Sequence, residues 1–310
     1  MAKTNHLGAL AAAETLVAVG LVVLIMVVVE ASPAEATFPG NPGKIVYSGH
    51  HGQDFEIYTI NSGGGGKVQL TDNAAKAYNP SYSPSAKKIV YSGYDGQDFE
   101  IYAINAGGAG KVQLTDNNTD DYEPSYSPSG KKIAYSGYDG QDFEIYTINS
   151  GGGGSFNVTD NSTADYAPSY SPSGKKIVYA GYDGQDFEIY TINPGGGSKF
   201  NVTDNSTDEY YSSYSPSGKK IAYSGQDGPN GDYEIYTINP GGGGKVQLTD
   251  NSTNDDGGLS YSPSAKTIAY SGRDASIGDY EIYTINSGGG GKVKVTDNST
   301  DDYYPSWGSS

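Results

Sequence analysis

Carboxylates are the one chemically capable group this chain carries in quantity. Its 36 Asp and Glu stand against 19 Lys and Arg, a formal charge of −17. Cysteine is absent, which excludes thiol nucleophiles, thiolate metal sites and disulfides. After residue 36 the only histidines are His50 and His51. They are adjacent, so neither a His-based triad nor a three-His zinc site can form. No G-x-S-x-G or P-loop is present. What remains is oxygen ligation of a hard cation, or acid–base work by paired carboxylates. Asp95/Asp98, Asp139/Asp142 and Asp183/Asp186 share a D-G-Q-D spacing, with Asp120, Asp121, Asp301 and Asp302 expected on neighbouring loops. Such clusters suit calcium, the one cofactor the sequence offers. No EF-hand or nonapeptide calcium motif accompanies them, and Asp also bonds its own backbone in turns, the stronger reading for any single residue.

The elements that position these groups repeat. GYDGQDFEIYTIN recurs, with variations, from Gly49 to Asn286. The isoleucines of K-I-V/A-Y (Ile45, Ile89, Ile133, Ile177, Ile221 and Ile268) are separated by 44 residues four times and then by 47. Each unit offers four short runs rich in Val, Ile, Tyr and Thr, bounded by Gly, Asn, Asp or Pro; in the second they are Lys88–Ser92, Phe99–Asn105, Lys111–Thr115 and Pro124–Ser127. Four strands per repeat without helical periodicity predict an all-β, six-bladed propeller of antiparallel blades. The units start near residues 44, 88, 132, 176, 220 and 267, and the propeller runs over 44–310. The chain enters at Lys44–Ser48 and ends on Pro305–Gly308, an inner-strand sequence. Pairing the two closes the ring without a free edge.

D-x-E-I-Y-T-I-N, the following L-T-D and P-S-Y-S-P-S-G-K-K-I-A-Y together resemble the TolB propeller family and its wider WD-like repeats, over about residues 38–310. The turn reads Ser-Pro-Ser where the family usually reads S-P-D-G, and the α/β domain that precedes the propeller in TolB itself is not expected in this chain. The resemblance implies the fold and, more weakly, a role in docking envelope proteins.

Alternation of strand direction sorts the loops onto two faces. One face is expected to receive all 25 aspartates with Glu123 and Glu209, against Lys76 and Arg273; the other receives fifteen lysines. The acidic face should attract cations and basic partners. The six Glu of D-x-E-I-Y are expected to bond backbone or Tyr hydroxyls, and the repeated tyrosines to pack between blades. Where the copies differ, function is sought. Tyr78-Asn79, Tyr122-Glu123, Tyr166-Ala167, Tyr210-Tyr211, Gly257-Gly258 and Tyr303-Tyr304 are expected to ring the channel mouth. The Gly pair notches that ring beside Arg273, between two lengthened loops. An aromatic, acidic mouth suits cationic groups or sugar rings.

Residues 1–36 differ from the rest: Lys3, an apolar run from Leu16 to Val29, and Ala34-Glu35-Ala36. These read as a secretory signal peptide, the rival being an uncleaved anchor from Leu7 to Val29, with 37–43 a short linker. The body is thus expected to be periplasmic, extracellular or held at the outer face of the cytoplasmic membrane. The membrane is touched only through that segment. Charge and export argue against nucleic acid. The expectation is a monomeric, non-enzymatic module that binds an envelope protein or a cationic or sugar ligand. The alternatives are a carbohydrate-active hydrolase or lyase using mouth carboxylates, and a calcium-stabilised structural domain.

Overall fold

The computed structural model describes residues 42–309 except 53, 73–74 and 229–230; the leader and most of the linker lie outside the described residues. The chain forms six four-stranded antiparallel sheets. In blade 2 the strands run, from the axis outward, Ala77–Tyr82, Lys88–Tyr94, Phe99–Asn105 and Val112–Gln113. Blade 1 takes its innermost strand from the other end of the chain: Asp302–Ser309 pairs antiparallel with Pro42–His51, placing Trp307 opposite Ile45. This is the closure expected from the phase of the repeats.

The second and third strands are buried on both sides, as in K-I-V-Y-S-G-Y, where only the ends of the strand reach solvent. The core therefore lies between blades. Val46 and Ile57 of blade 1 pack with Tyr82, Ile89, Tyr91, Tyr102 and Ile104 of blade 2, and equivalent clusters recur around the ring. Tyr91 and Tyr102 stack at 5.7 Å between centroids. Lys111 lies over the Tyr102 ring at 4.1 Å, a cation–π contact repeated by Lys67, Lys199, Lys245 and Lys292. Gly93 tolerates this stack because a Cβ there would come within 2.8 Å of the Tyr102 ring.

The glutamates of D-x-E-I-Y are buried and bond backbone amides as expected, but their side-chain donors come from the T-D-N loop rather than from tyrosine. Thr159 donates its hydroxyl to Glu144, and Thr71, Thr203 and Thr296 do the same for Glu56, Glu188 and Glu281. The Asn117 and Asn298 amides donate to Glu100 and Glu281 at 2.6 Å. The same asparagine side chains bond the next blade's first inner-strand acid: Asn117 to Asp121 at 2.9 Å, Asn161 to Asp165 at 2.7 Å, Asn205 to Glu209 at 2.8 Å. Thr and Asn of T-D-N are thus ligands of a buried carboxylate, and only the Asp between them is left to the surface.

Candidate functional site at the channel mouth

Each inner strand carries a β-bulge, and the bulge sorts the mouth residues into two layers. The strands begin earlier than expected, Asp121–Tyr126 rather than Pro124–Ser127, so the varying dipeptides lie within the strands. The second residue of each pair sits at the register shift with positive φ: Asn79 52°, Glu123 56°, Ala167 53°, Tyr211 45°, Gly258 29° and Tyr304 56°. An extra residue in one strand leaves its side chain unpaired and re-aims it. Here it is aimed into the channel, a cavity of about 140 Å³ lined by these six residues and the Pro-Ser or Ser-Ser pairs after them, with Leu259-Ser260 in the fifth copy. Glu123 brings the one carboxylate among them. Its Oε2 accepts from Ser136 Oγ at 3.0 Å and from the Ala167 amide at 2.7 Å. Burial still pushes its carboxyl up.

The first residue of each pair turns the other way. Tyr78, Tyr122, Tyr166 and Tyr210 are half-buried and alternate with Phe55, Phe99, Phe143, Phe187 and Tyr233 in an unbroken belt, neighbouring centroids 4.8–6.1 Å apart. Tyr280, Tyr303 and Phe55 complete it from the far side. The belt breaks once, where Gly257 stands in place of tyrosine. Gly257 faces Ser271 as Tyr210 faces Ser224, so the two are structurally equivalent.

That gap opens a second cavity, of about 390 Å³, lined by Tyr210, Tyr211, Tyr233, Asp256, Gly257, Tyr280, Tyr303 and Tyr304. Tyr303 and Tyr304 lean into the space the glycines vacate. A Cβ on Gly258 would lie 2.8 Å from the Tyr304 Cα, and one on Gly257 3.2 Å from the Tyr303 ring. Tyr304 meets Tyr211 across the mouth at 5.7 Å. Burial pushes both phenols up, and Tyr304 reaches about 12. Asp256 is an insertion. Asp255 bonds Asn251 as Glu209 bonds Asn205, and Gly257 matches Tyr210, which leaves Asp256 without a counterpart in other blades. It supplies one of the three additional residues in the 47-residue spacing; the other two lengthen the Gln226–Tyr233 loop. Burial raises its carboxyl, while the Tyr280 hydroxyl, its own backbone and Arg273 act in the opposite direction. Arg273 is exposed, and its Nε donates to the Gly278 carbonyl at 3.0 Å.

Asp256, Tyr233 and Tyr280 were not expected in the site from the sequence. The signals were there: a one-residue insertion, and Tyr where blades 1–4 have Phe55, Phe99, Phe143 and Phe187.

The D-G-Q-D aspartates divide. Asp95, Asp139 and Asp183 each accept the amides of the residues two and three positions on, at 2.8 and 3.2 Å, which is a turn-capping role. Oxygens of Asp139, Asp142 and Glu144 lie within 4.8 Å of one another, as do those of Asp95, Glu100 and Asp116; Asp98, Asp183 and Asp186 join no such group among the described residues.

The acidic face is thinner than the loop sorting implied. Asp121, Asp165, Glu209, Asp255 and Asp302 are buried beside the strand glutamates. Burial pushes Asp121 and Glu209 up to about 8, Asp165 and Asp302 to about 7, and Asp255 to about 6. Nor do all the lysines stay on the opposite face: Lys292 Nζ reaches to 3.7 Å from Asp255.

Residues 43–310 match the family model of the TolB beta propeller domain, and the chain belongs to that family. Among solved structures it is similar to TolB from Acinetobacter baumannii, with 21% identity over 86% of this chain and 66% of that one and a TM-score of 0.77. It is similar to a putative TolB from Agrobacterium tumefaciens, with 18% identity over 86% and 99% of the two chains and a TM-score of 0.68. An oligogalacturonate lyase from Vibrio parahaemolyticus shares the fold at 13% identity over 86% and 78%, with a TM-score of 0.58. No curated protein sequence matches the chain.

Proposed function

We propose that this chain is an exported docking propeller that holds a protein or ligand at the acidic, tyrosine-rich mouth of its channel. One observation carries the reading. In a chain of near-identical blades, four departures from the repeat line one cavity: Gly257, Asp256, Tyr233 and Tyr280. Residues common to every blade serve the blade; a cavity assembled from exceptions serves something outside it. Export is the reading of the charged-then-apolar leader.

The test compares the protein with a Glu123→Gln, Tyr211→Ser, Tyr304→Ser variant as bait against envelope extract. A single protein retained by the native mouth and lost by the variant supports docking. Equal profiles reject it. The fold shared with an oligogalacturonate lyase, together with Glu123 and Asp256 at the cavities, gives a second reading, carbohydrate chemistry by carboxylates. Cleavage of an oligosaccharide that disappears in either Glu123→Gln or Asp256→Asn would establish it in place of docking.

A further inference from the structure

Six tyrosines and one carboxylate are an unusual lining for a cavity of about 390 Å³. That volume lies within the roughly 300–1,000 Å³ of small-ligand sites. Tyr210, Tyr211, Tyr233, Tyr280, Tyr303 and Tyr304 come from two inner strands and two third strands, on either side of the inner strand that carries Gly257. The rings are held by one another: Tyr210 against Tyr211 at 6.3 Å and Tyr233 at 6.1 Å, Tyr303 against Tyr280 at 4.7 Å and Tyr304 at 5.7 Å. Such a lining is pre-organised, so little side-chain entropy is lost when a ligand enters. Aromatic faces carry negative potential and attract a desolvated cation. Asp256 places a carboxyl group at the same wall, bonded by the Tyr280 hydroxyl. Among the described residues Arg273 is a cation whose charge acts against this, on Asp256 and Tyr280. It stands exposed at the rim with its Nε held by the Gly278 carbonyl, while Asp208, Asp256 and Asp301 add negative potential at the tyrosines.

A sugar would ask for something different: several fixed amide, carboxylate or guanidinium groups around one flat apolar platform. This cavity offers many rings and a single carboxylate. Resting on the docking reading above, we infer that the gap between the fifth and sixth inner strands is an aromatic cage for an organic ammonium group, quaternary or alkyl-substituted.

Calorimetric titration of the full chain with choline, n-butylammonium and 3,3-dimethylbutan-1-ol tests this, the last being the neutral isostere of choline. One site per chain is expected for choline, at least about tenfold tighter than for the neutral alcohol, the discrimination a cation gains over aromatic faces. Comparing choline with n-butylammonium separates a quaternary head from a lysine-type amine. Asp256→Asn should weaken choline about tenfold, and Asp139→Asn, in an exposed turn outside the cavity lining, should leave it within about twofold. Asp256→Asn is isosteric and its side chain partly exposed, so a loss of binding there is not a loss of fold. Equal affinity for choline and the alcohol, no binding of either cation, or indifference to Asp256→Asn overturns the cage. A protein captured by the mouth without ammonium binding would leave docking standing and reject the cage. Ammonium binding without protein capture would do the reverse.

Discussion

The junctions of blades 1 to 5 and the junction between blades 5 and 6 are built from the same repeat and differ in what they leave open. At Tyr122 the belt is complete: its ring lies 4.8 Å from Phe99 and 6.0 Å from Phe143, and the wall is closed. At Gly257 the ring is missing, an aspartate has been added, and the neighbouring aromatics carry hydroxyls. The difference teaches how a repeat architecture acquires a site. Stability is spread over many near-identical interfaces, so one interface can give up a large side chain. Within the sixth blade the inner strand still pairs with its neighbour from Gly257–Ser271 to Tyr261–Ile268, so the opening costs packing rather than pairing.

Making the exceptional junction ordinary should have the largest functional effect. Deleting Asp256 and changing Gly257 to Tyr brings back the belt tyrosine of the other junctions and crowds the gap. Ammonium binding should fall by about a hundredfold or more, below detection. A pocket that still binds would show that the gap is not the site.

The ordinary interfaces can be broken in turn. Trp307, 5% exposed in the closing strand, packs with Ile45, Tyr47 and Tyr58. Trp307→Ala should lower stability by about 3–5 kcal/mol in denaturant unfolding. A loss below about 1 kcal/mol would mean that the closure matters little.

The buried acids give a smaller, pH-dependent effect. Asp121, Asp165, Glu209, Asp255 and Asp302 have folded-state values of about 6–8, against roughly 4 in an unfolded chain. The fold therefore keeps protons that the unfolded chain releases. Their contribution is fully present below about pH 4 and is lost as pH rises through 6–8. The melting temperature should drop by roughly 5 °C or more between pH 5 and pH 9, and Asp121→Asn should flatten part of that slope. A rise over the same interval would reverse the assignment. The smallest effect is expected in the exposed turns. Asp139→Asn keeps an acceptor for the Gln141 and Asp142 amides and should change stability by less than about 0.5 kcal/mol, read from the same denaturant curves.

The six blades, their strand order and the closing strand were legible in the sequence. A 44-residue period with four short strands admits few ways to bury its apolar residues, and the offset between Lys44 and Trp307 marks where the ring joins. The break at Gly257-Gly258 was legible too, as a departure from a repeated pattern. Three-dimensional packing decided the rest. A bulge at positive φ turns Glu123 and Tyr211 into the channel and their neighbours Tyr122 and Tyr210 into the belt; strand alternation alone does not reveal that reversal, because the extra residue appears only in the pairing register. The fate of the acids was likewise tertiary. Asp121 and Asp120 are adjacent in sequence, yet one is buried against Asn117 and the other caps the Phe99 amide at 3.0 Å. Charge composition counts both alike. Only the folded interface determines which of them water can still reach.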